Sequence, residues 1–193
     1  MPNWCYTTYK VEGDRSELLD LKAKMESLIY REDSLVENGF YDSKHWLGNI
    51  VALFGDDWQK IYCRGTWNDL EYDEDINVLS FNLETAWNEY PDLRHFIEAQ
   101  YNTIKIYYIE EESGNCVYYT NDAEGKYFTN LHVVEGEDFE TLEFDTADEA
   151  KEYIEEIIGR KLGDDEDPDE ALSEWADDKD TYANYHMYEI VDD

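Results

Sequence analysis

The chain has 193 residues, of which 49 are acidic and 15 basic, so its formal net charge is −34 at pH 7. A surface this negative repels nucleic acid and anionic membranes, which argues against both as direct partners and favours a basic protein surface. Aromatic residues make up 16% of the chain, and because disordered chains are poor in aromatics we expect a folded protein. Three cysteines with no CxxC pair, and no signal peptide or membrane-length apolar run, favour a reduced, cytoplasmic protein with buried thiols.

The N-terminal part of the chain predicts a strand followed by a helix. Residues 4–12 are rich in β-forming residues and end at Gly13. Asp14 and Glu17 then form the capping-box pattern of a helix, whose apolar stripe continues to Tyr30. The next predicted elements are a partly ordered insertion over 31–57 with a short helix near 49–54, a strand over 58–66, and an acidic connection over 68–75.

The middle of the chain predicts a strand, a helix and a second strand. Residues 76–84 alternate, and Leu79, Phe81 and Leu83 form a wholly apolar side that suits a strand with one face on a core. Pro91 suits the first position of a helix, because its missing N–H has no intrahelical partner there. A further strand is predicted over 103–109.

The predicted order over residues 4–109 is therefore β, α, β, β, α, β. This order is typical of the split-βαβ, ferredoxin-like fold, whose antiparallel four-stranded sheet carries both helices on one face. We predict an α+β protein with a ferredoxin-like core over residues 1–128. Extra β-hairpins, beginning with one formed by residues 116–120, are expected to extend this sheet or to cover its open face.

The C-terminal extension, residues 129–193, differs in composition. Residues 135–193 contain 24 acidic and 4 basic residues, a net charge of −20. Their apolar periodicity still predicts regular structure, and Thr146 with Glu149 gives a second capping-box pattern. The predicted elements are strands over 126–134 and 139–144, helices over 146–162 and 168–178, and a terminal strand over 182–191. We expect the extension to pack on the core, with the DDEDPDE run as a solvated loop.

Three short motifs lie near the ends of predicted strands in the first part of the chain. They are PNWC at 2–5, GTW at 65–67 and TAW at 85–87. Together they resemble motifs of the YubB-type ferredoxin-like family of phage and plasmid proteins, over residues 1–128. The resemblance implies a ferredoxin-like fold and an origin in a mobile element. It implies no catalytic residue, because none is established for that family.

Other residue groups carry weaker signals. Trp4, Trp67 and Trp87 suit either a stacking platform for a ligand or ordinary packing near strand ends, and packing is favoured. The cysteines and histidines lack the spacing of zinc ligands. The acidic run that starts at Asp164 lacks the central glycine and twelfth-position glutamate of an EF-hand. With no phosphate loop and no nucleophile elbow, we predict no cofactor, no metal and no enzymatic activity.

The excess of acid is the strongest remaining signal. A net charge of about 2 to 8 keeps a small domain soluble, whereas self-repulsion at −34 destabilises the compact state. Adaptation to high salt would explain the excess, and so would mimicry of a nucleic-acid backbone. The leading hypothesis is mimicry: a mobile-element protein binds and inhibits a nucleic-acid-binding host factor, such as a restriction, CRISPR or other defence component. The predicted partner-binding residues are Glu110, Glu111 and Glu112 at one turn, and Asp164, Asp165, Glu166, Asp167, Asp169, Glu170, Asp177, Asp178 and Asp180 in the extension.

Two alternatives belong to other classes. One is a non-enzymatic ligand- or metal-binding domain, which a deep aromatic pocket around Trp67 and Trp87 would favour. The other is a homodimer or larger structural assembly that pairs through the terminal strand 182–191 as an exposed edge.

Overall fold

A computed structural model describes residues 3–33, 35–36, 44–163 and 165–192. The chain is α+β and divides into two compact units, Met1–Asn121 and Asp122–Asp193. Part of the predicted insertion over 31–57 lies outside the described residues, as do Pro2 of the PNWC motif and Asp164 of the acidic run. Among the helices of the described ranges, none has the length and apolar character needed to cross a membrane.

The first unit is built on an antiparallel sheet in the order β2-β3-β1-β4-β5. The central strand β1 therefore pairs with β3 on one side and with β4 on the other. The elements of this unit are β1 (Trp4–Glu12), α1 (Arg15–Tyr30), α2 (Leu47–Leu53), β2 (Gly65–Asp73), β3 (Val78–Ala86), α3 (Pro91–Ala99), β4 (Lys105–Glu112) and β5 (Val117–Thr120).

Side-chain alternation along the strands gives the sheet of the first unit a buried face. On β1 the residues Cys5, Thr7, Tyr9 and Val11 are buried, while the residues between them are exposed or half-buried. The apolar stripe of α1, which begins at Leu18, is buried as well. Burial of apolar surface stabilises a fold by about 25 cal/mol per Å². This buried face is therefore the core that holds the unit together.

The strand β2 lies later in the chain than the sequence predicts. Residues Trp58–Lys60 form a turn of 3₁₀ helix, and the strand is Gly65–Asp73, which overlaps the end of the predicted strand and most of the predicted acidic connection. Its register against β3 shifts between Asn68 and Glu71, next to a positive φ of 52° at Asp69. Because β2 is an edge strand with much of one side in water, acidic residues and a bulge are tolerated there.

The predicted capping box at the start of α1 does not form. Asp14 occupies the N-cap position, but its side chain makes no capping hydrogen bond. The Glu17 carboxylate instead accepts hydrogen bonds from the backbone N–H of Asn102 (3.1 Å) and of Thr103 (2.9 Å). The Thr103 hydroxyl also donates to Glu17 at 2.7 Å, and this bond, followed by the backbone bonds, lowers the pKa of Glu17. The start of α1 is thus tied to the loop before β4, a long-range contact that local sequence does not reveal.

The second unit places two helices on one face of a small sheet with the order β7-β6-β8. Both helices contribute to a core that includes Val134, Ile154 and Leu172. α4 ends at Ile158, before Gly159 with a φ of 75°, and so is shorter than the predicted helix over 146–162. The elements are β6 (His132–Gly136), β7 (Leu142–Phe144), α4 (Ala147–Ile158), α5 (Pro168–Lys179), β8 (Ala183–Met187) and β9 (Glu189–Ile190).

Gly65, the first residue of β2, offers a test of this packing. A Cβ there would lie 2.4 Å from the carbonyl oxygen of Glu84 and 3.0 Å from the Cα of Thr85. Because backbone atoms must move to accommodate it, we expect Gly65→Ala to lower the free energy of unfolding by about 1–3 kcal/mol in urea titrations. Gly163→Ala is the control, since its Cβ would come no closer than 3.8 Å to the Glu166 side chain. An equal loss of unfolding free energy in both variants would contradict the close approach of Gly65 to the backbone of β3.

Candidate partner-binding surface

The helix α4 separates apolar from acidic side chains around its circumference. Ala150 and Ile154 are buried in the core of the second unit, as expected for an amphipathic helix. Thr146 caps the helix, because its Oγ accepts the N–H of Glu149 at 3.3 Å. The exposed acids of this helix are Asp148, Glu149, Glu152 and Glu156. None of the four was predicted as a site residue, although they lie opposite the apolar stripe that the sequence shows.

The helix α5 repeats this arrangement. Leu172 and Ala176 are buried, and the Asp167 side chain caps the helix by accepting the N–H of Asp169 at 2.9 Å. The exposed acids of the helix are Glu170, Glu174, Asp177 and Asp178. Three of these were predicted as site residues. Asp180, also predicted, is exposed at the C-cap with a φ of 56°.

The exposed acids of α4 and α5, called here the acidic helix pair, have a spacing that can be compared with DNA. Each helix has 12 residues and so extends about 18 Å, which places one exposed acid per about 4.5 Å of axis. One strand of B-DNA carries one charge per about 3.4 Å. Because the two helices contact each other and bury residues in one core, both acidic sides face away from that core.

Glu166 has a structural role. It forms a two-pronged ion pair with Arg160, in which one contact, from Nη1 to Oε2, is 3.0 Å long. The same oxygen accepts the N–H of Gly163 at 3.0 Å. Arg160 is the main cause that lowers the pKa of Glu166 to about 2. This carboxylate therefore holds the loop between α4 and α5 and is less available to a partner than the acids of the helices.

The remaining predicted residues of the acidic run differ in role. Asp167 is occupied as the cap of α5, and the Oδ1 of Asp169 accepts the N–H of Tyr185 at 3.0 Å, which connects α5 to β8. Asp165 is exposed, and Asp164 lies outside the described residues. The predicted set thus contains structural carboxylates as well as exposed ones.

The three glutamates predicted at a turn are residues of the strand β4. Glu110 is 5% exposed and Glu112 is 2% exposed, so neither carboxylate is presented to a partner. Glu112 instead accepts the N–H of Gly114 at 2.8 Å and closes the turn to β5. Glu111, between them on the opposite side of the strand, is half-buried. Alternation along β4, which continues three residues beyond the predicted end of the strand, explains the difference.

The structure also shows a cluster of buried polar side chains that the sequence did not reveal, here called the buried carboxyl cluster: Glu89, Glu110, Arg94, Tyr9 and Cys5. The Arg94 Nε donates to the Oε1 of Glu89 at 3.0 Å, and the Tyr9 hydroxyl donates to the same oxygen. The Oε2 of Glu110 accepts the N–H of Glu89 at 2.6 Å and the thiol of Cys5 at 3.3 Å. These bonds fix the chain just before α3 to the strands β1 and β4.

Burial dominates the electrostatics of the buried carboxyl cluster. It raises the pKa of Glu89 against the opposing effect of Arg94, and it raises the pKa of Glu110. It also raises the pKa of Cys5 to about 12. Two carboxyl groups with raised pKa values are common at catalytic sites. Here both side chains are closed off from solvent, so the arrangement suits anchoring of α3 better than chemistry on a substrate.

Trp67 and Trp87 differ in their surroundings, and the potential metal ligands of the described residues are not grouped. Trp67 is buried against the ring of His45, whereas Trp87 is exposed, so the two do not share one environment. Within the described ranges, no three His, Cys, Asp or Glu side chains are grouped so that they could hold a metal ion. Cys5 and Cys63 are buried, but Cys116 is exposed, contrary to the expectation that the thiols are buried.

Comparison with known proteins adds no relative. No family model, no curated protein and no solved structure matches the chain. The resemblance to the YubB-type family therefore remains a prediction from the three sequence motifs.

The pKa of Glu110 predicts an unusual pH dependence. Its folded-state pKa is raised by burial, so its contribution to stability is fully present below the unfolded pKa, about 4.3. That contribution is lost as the pH rises through the folded value. We expect the parent chain to lose stability relative to Glu110→Gln as the pH is raised from about 4 to about 7, measured by urea unfolding at each pH.

Glu166→Gln serves as the control of opposite sign. Its folded pKa is lowered to about 2 by Arg160, so its stabilising effect is present above the unfolded pKa and is lost as the pH falls through the folded value. The gap between the parent and this variant should therefore close as the pH falls. If the difference in unfolding free energy between the parent and Glu110→Gln changes with pH in the same direction as that for Glu166→Gln, the raised pKa of Glu110 is contradicted.

Exposure of the cysteines predicts a thiol count. Cys116 is exposed, whereas burial raises the pKa of Cys5 and of Cys63 to about 12. Because the thiolate is the reactive form, a disulfide reagent at pH 8 should titrate one thiol in the native chain and three in denaturant. Cys116→Ser should abolish the native reaction. Rapid labelling of that variant without denaturant would show that the buried thiols are accessible.

Proposed function

We propose that this chain is an acidic, non-enzymatic protein that binds the basic groove of a nucleic-acid-binding protein and blocks it. The observation that carries the proposal is the acidic helix pair, in which each helix carries on average one exposed acid per about 4.5 Å of axis, against one charge per about 3.4 Å along one DNA strand. Proteins gain much of their affinity for nucleic acid from phosphate contacts. A row of carboxylates on a helix would compete for the same lysines and arginines.

The charges near the acidic helix pair favour this function. The bases of the two helices, Lys151 and Lys179, are engaged: the first contacts the carbonyl oxygen of Gly163 at 3.5 Å, and the second lies over the Trp175 ring at 4.3 Å. Just beyond α4, Arg160 interacts electrostatically with Glu174, and Lys161 interacts with Glu152 and Glu156. These three acids are therefore compensated in part by bases outside their own helix. Complementary charge of this kind steers a basic partner and raises its association rate at low salt.

The fold supports the proposed origin. In the first unit β1 lies between β3 and β4, antiparallel to both, and β2 pairs with β3. We infer from this order a ferredoxin-like split-βαβ core, which is the fold that the YubB-type resemblance implies. A phage or plasmid protein that acts in the cytoplasm against a host defence factor, such as a restriction or CRISPR component, fits both the resemblance and the charge.

The test is capture of a partner and its release by nucleic acid. The tagged chain is incubated with bacterial lysate at low salt, and bound proteins are eluted with increasing salt or with duplex DNA or RNA. We expect a nucleic-acid-binding protein that persists at moderate salt and is displaced by nucleic acid. Neutralising the exposed acids of α5 should weaken its binding about thirtyfold, because four ion pairs of about 0.5 kcal/mol amount to about 2 kcal/mol. The variant combines Glu170→Gln, Glu174→Gln, Asp177→Asn and Asp178→Asn.

A control of equal net charge separates a specific surface from general acidity. It neutralises four exposed acids of the first unit, through Glu32→Gln, Asp33→Asn, Glu71→Gln and Asp75→Asn. We expect this control to keep the partner. Equal loss of binding in both variants, or a diffuse set of basic proteins that elute together, would refute mimicry and favour adaptation to high salt. Circular dichroism must show that α5 still folds in its neutralised variant.

A further inference from the structure

The outer face of β1, opposite the core, carries exposed aromatic side chains. Trp4 is 39% exposed and Tyr6 is 61% exposed, although β1 is a central strand with neighbours on both sides. Trp87, which is also exposed, lies near the start of β1, because its N–H donates to the carbonyl oxygen of Asn3 at 3.0 Å. Exposed large apolar residues that occur together, and not singly, indicate a contact site.

The register of the sheet places carboxylates on both sides of Tyr6. Glu84 on β3 and Glu111 on β4 are the residues directly opposite Tyr6, so each lies in the same row on the same face, with Cβ atoms about 5 Å from that of Tyr6. Thr66 on β2 continues the row beyond Glu84. Trp4, Tyr6, Glu84 and Glu111 are called here the outer-face patch.

Two bases, Lys10 and Arg64, lie at the margins of the patch. Lys10 is on the same strand, four residues and so about 13 Å from Tyr6. Arg64 lies beside Ala86, whose N–H donates to the Arg64 carbonyl oxygen at 3.2 Å, and Ala86 is the partner of Trp4. The row that contains Tyr6 has no basic residue in the strands β2, β3, β1 and β4. The exposed ring of Tyr6 therefore lies between Glu84 and Glu111, and none of these four strands places a basic residue in that row.

We propose that the outer-face patch binds an arginine side chain of an extended basic segment in a partner protein. A guanidinium attracts the face of an aromatic ring within about 6 Å, and its planar fork bonds a carboxylate with two parallel hydrogen bonds. On the patch both interactions are available to one side chain, with the ring of Tyr6 beneath it and Glu84 beside it, whereas Glu111 already accepts the Ser113 hydroxyl at 2.8 Å. Trp4 lies two residues away, which matches the spacing of alternate side chains in an extended peptide.

This inference rests on the proposed function only in expecting a basic partner, and it concerns the first unit alone. The binding energy of the acidic helix pair comes from charge. The patch adds an aromatic anchor, which distinguishes arginine from lysine because the guanidinium stacks on rings and is more weakly hydrated than an ammonium. Binding to the acidic helix pair should therefore be similar for lysine and arginine, whereas binding to the outer-face patch should favour arginine.

The test measures binding of short peptides to the full chain by calorimetry. One peptide alternates arginine and glycine over seven residues, and its comparator has lysine in place of arginine. We expect the arginine peptide to bind more tightly, Tyr6→Ala to weaken it about fivefold, and Tyr6→Phe to retain it, because the ring provides the attraction. Glu84→Gln should weaken the arginine peptide about threefold by removing a charged partner.

Controls decide between the patch and general acidity. Tyr30→Ala removes a tyrosine that is 81% exposed elsewhere in the first unit, and it should leave binding unchanged. Equal affinity for both peptides, or equal loss in Tyr6→Ala and Tyr30→Ala, would overturn the proposal. The α5-neutralised variant separates the two claims: if it binds the peptide as the parent does, the patch stands whether or not a nucleic-acid-binding partner is found.

Discussion

The central strand β1 is the element on which the first unit depends. Because it pairs with β3 and β4, every row of side chains across the middle of the sheet passes through it. Its strict alternation sends Cys5 and Tyr9 into the core and Trp4 and Tyr6 to the outside. A shift of register by one residue would exchange these two sets. The buried carboxyl cluster and the outer-face patch are therefore two consequences of a single register.

The elements with clear periodicity could be predicted from sequence, and those set by partners could not. β1, α1, α3 and α5 lie within a residue or two of their predicted positions, because alternation, apolar stripes and Pro91 at a helix start are local signals. β2 was predicted too early, over 58–66 instead of Gly65–Asp73, because its acidic residues resemble a loop until they are paired with β3. The role of Glu17 could not be predicted either, because its carboxylate accepts hydrogen bonds from residues more than eighty positions away in the sequence.

The sequence predicts that an acidic surface exists, but it does not identify the residues that form it. With 49 acids in the chain, sequence does not tell which carboxylates hold the fold and which face solvent. Glu112 and Glu166 close turns and loops, while Glu152 and Glu156, which were not predicted, are exposed on α4. The predicted site residues come mostly from consecutive runs of acidic residues. The exposed acids of α4 are instead separated in the sequence by apolar residues, because they recur at helical spacing. The apolar stripe of that helix was the better guide, because it fixes the opposite side.

Two physical demands act on the acidic helix pair at once. Like charges on neighbouring turns repel and oppose helix formation, so the helices depend on their apolar sides and on caps at Thr146 and Asp167. Such a surface attracts many basic proteins with little selectivity, because charge alone gives association rate more than specificity. Selectivity requires contacts that bury an anchor, and aromatic residues are the usual anchors of protein interfaces. The proposed function, binding of one basic partner among many, therefore needs an aromatic element as well as acid. The outer-face patch is the element that we propose, on a strand whose register fixes its position.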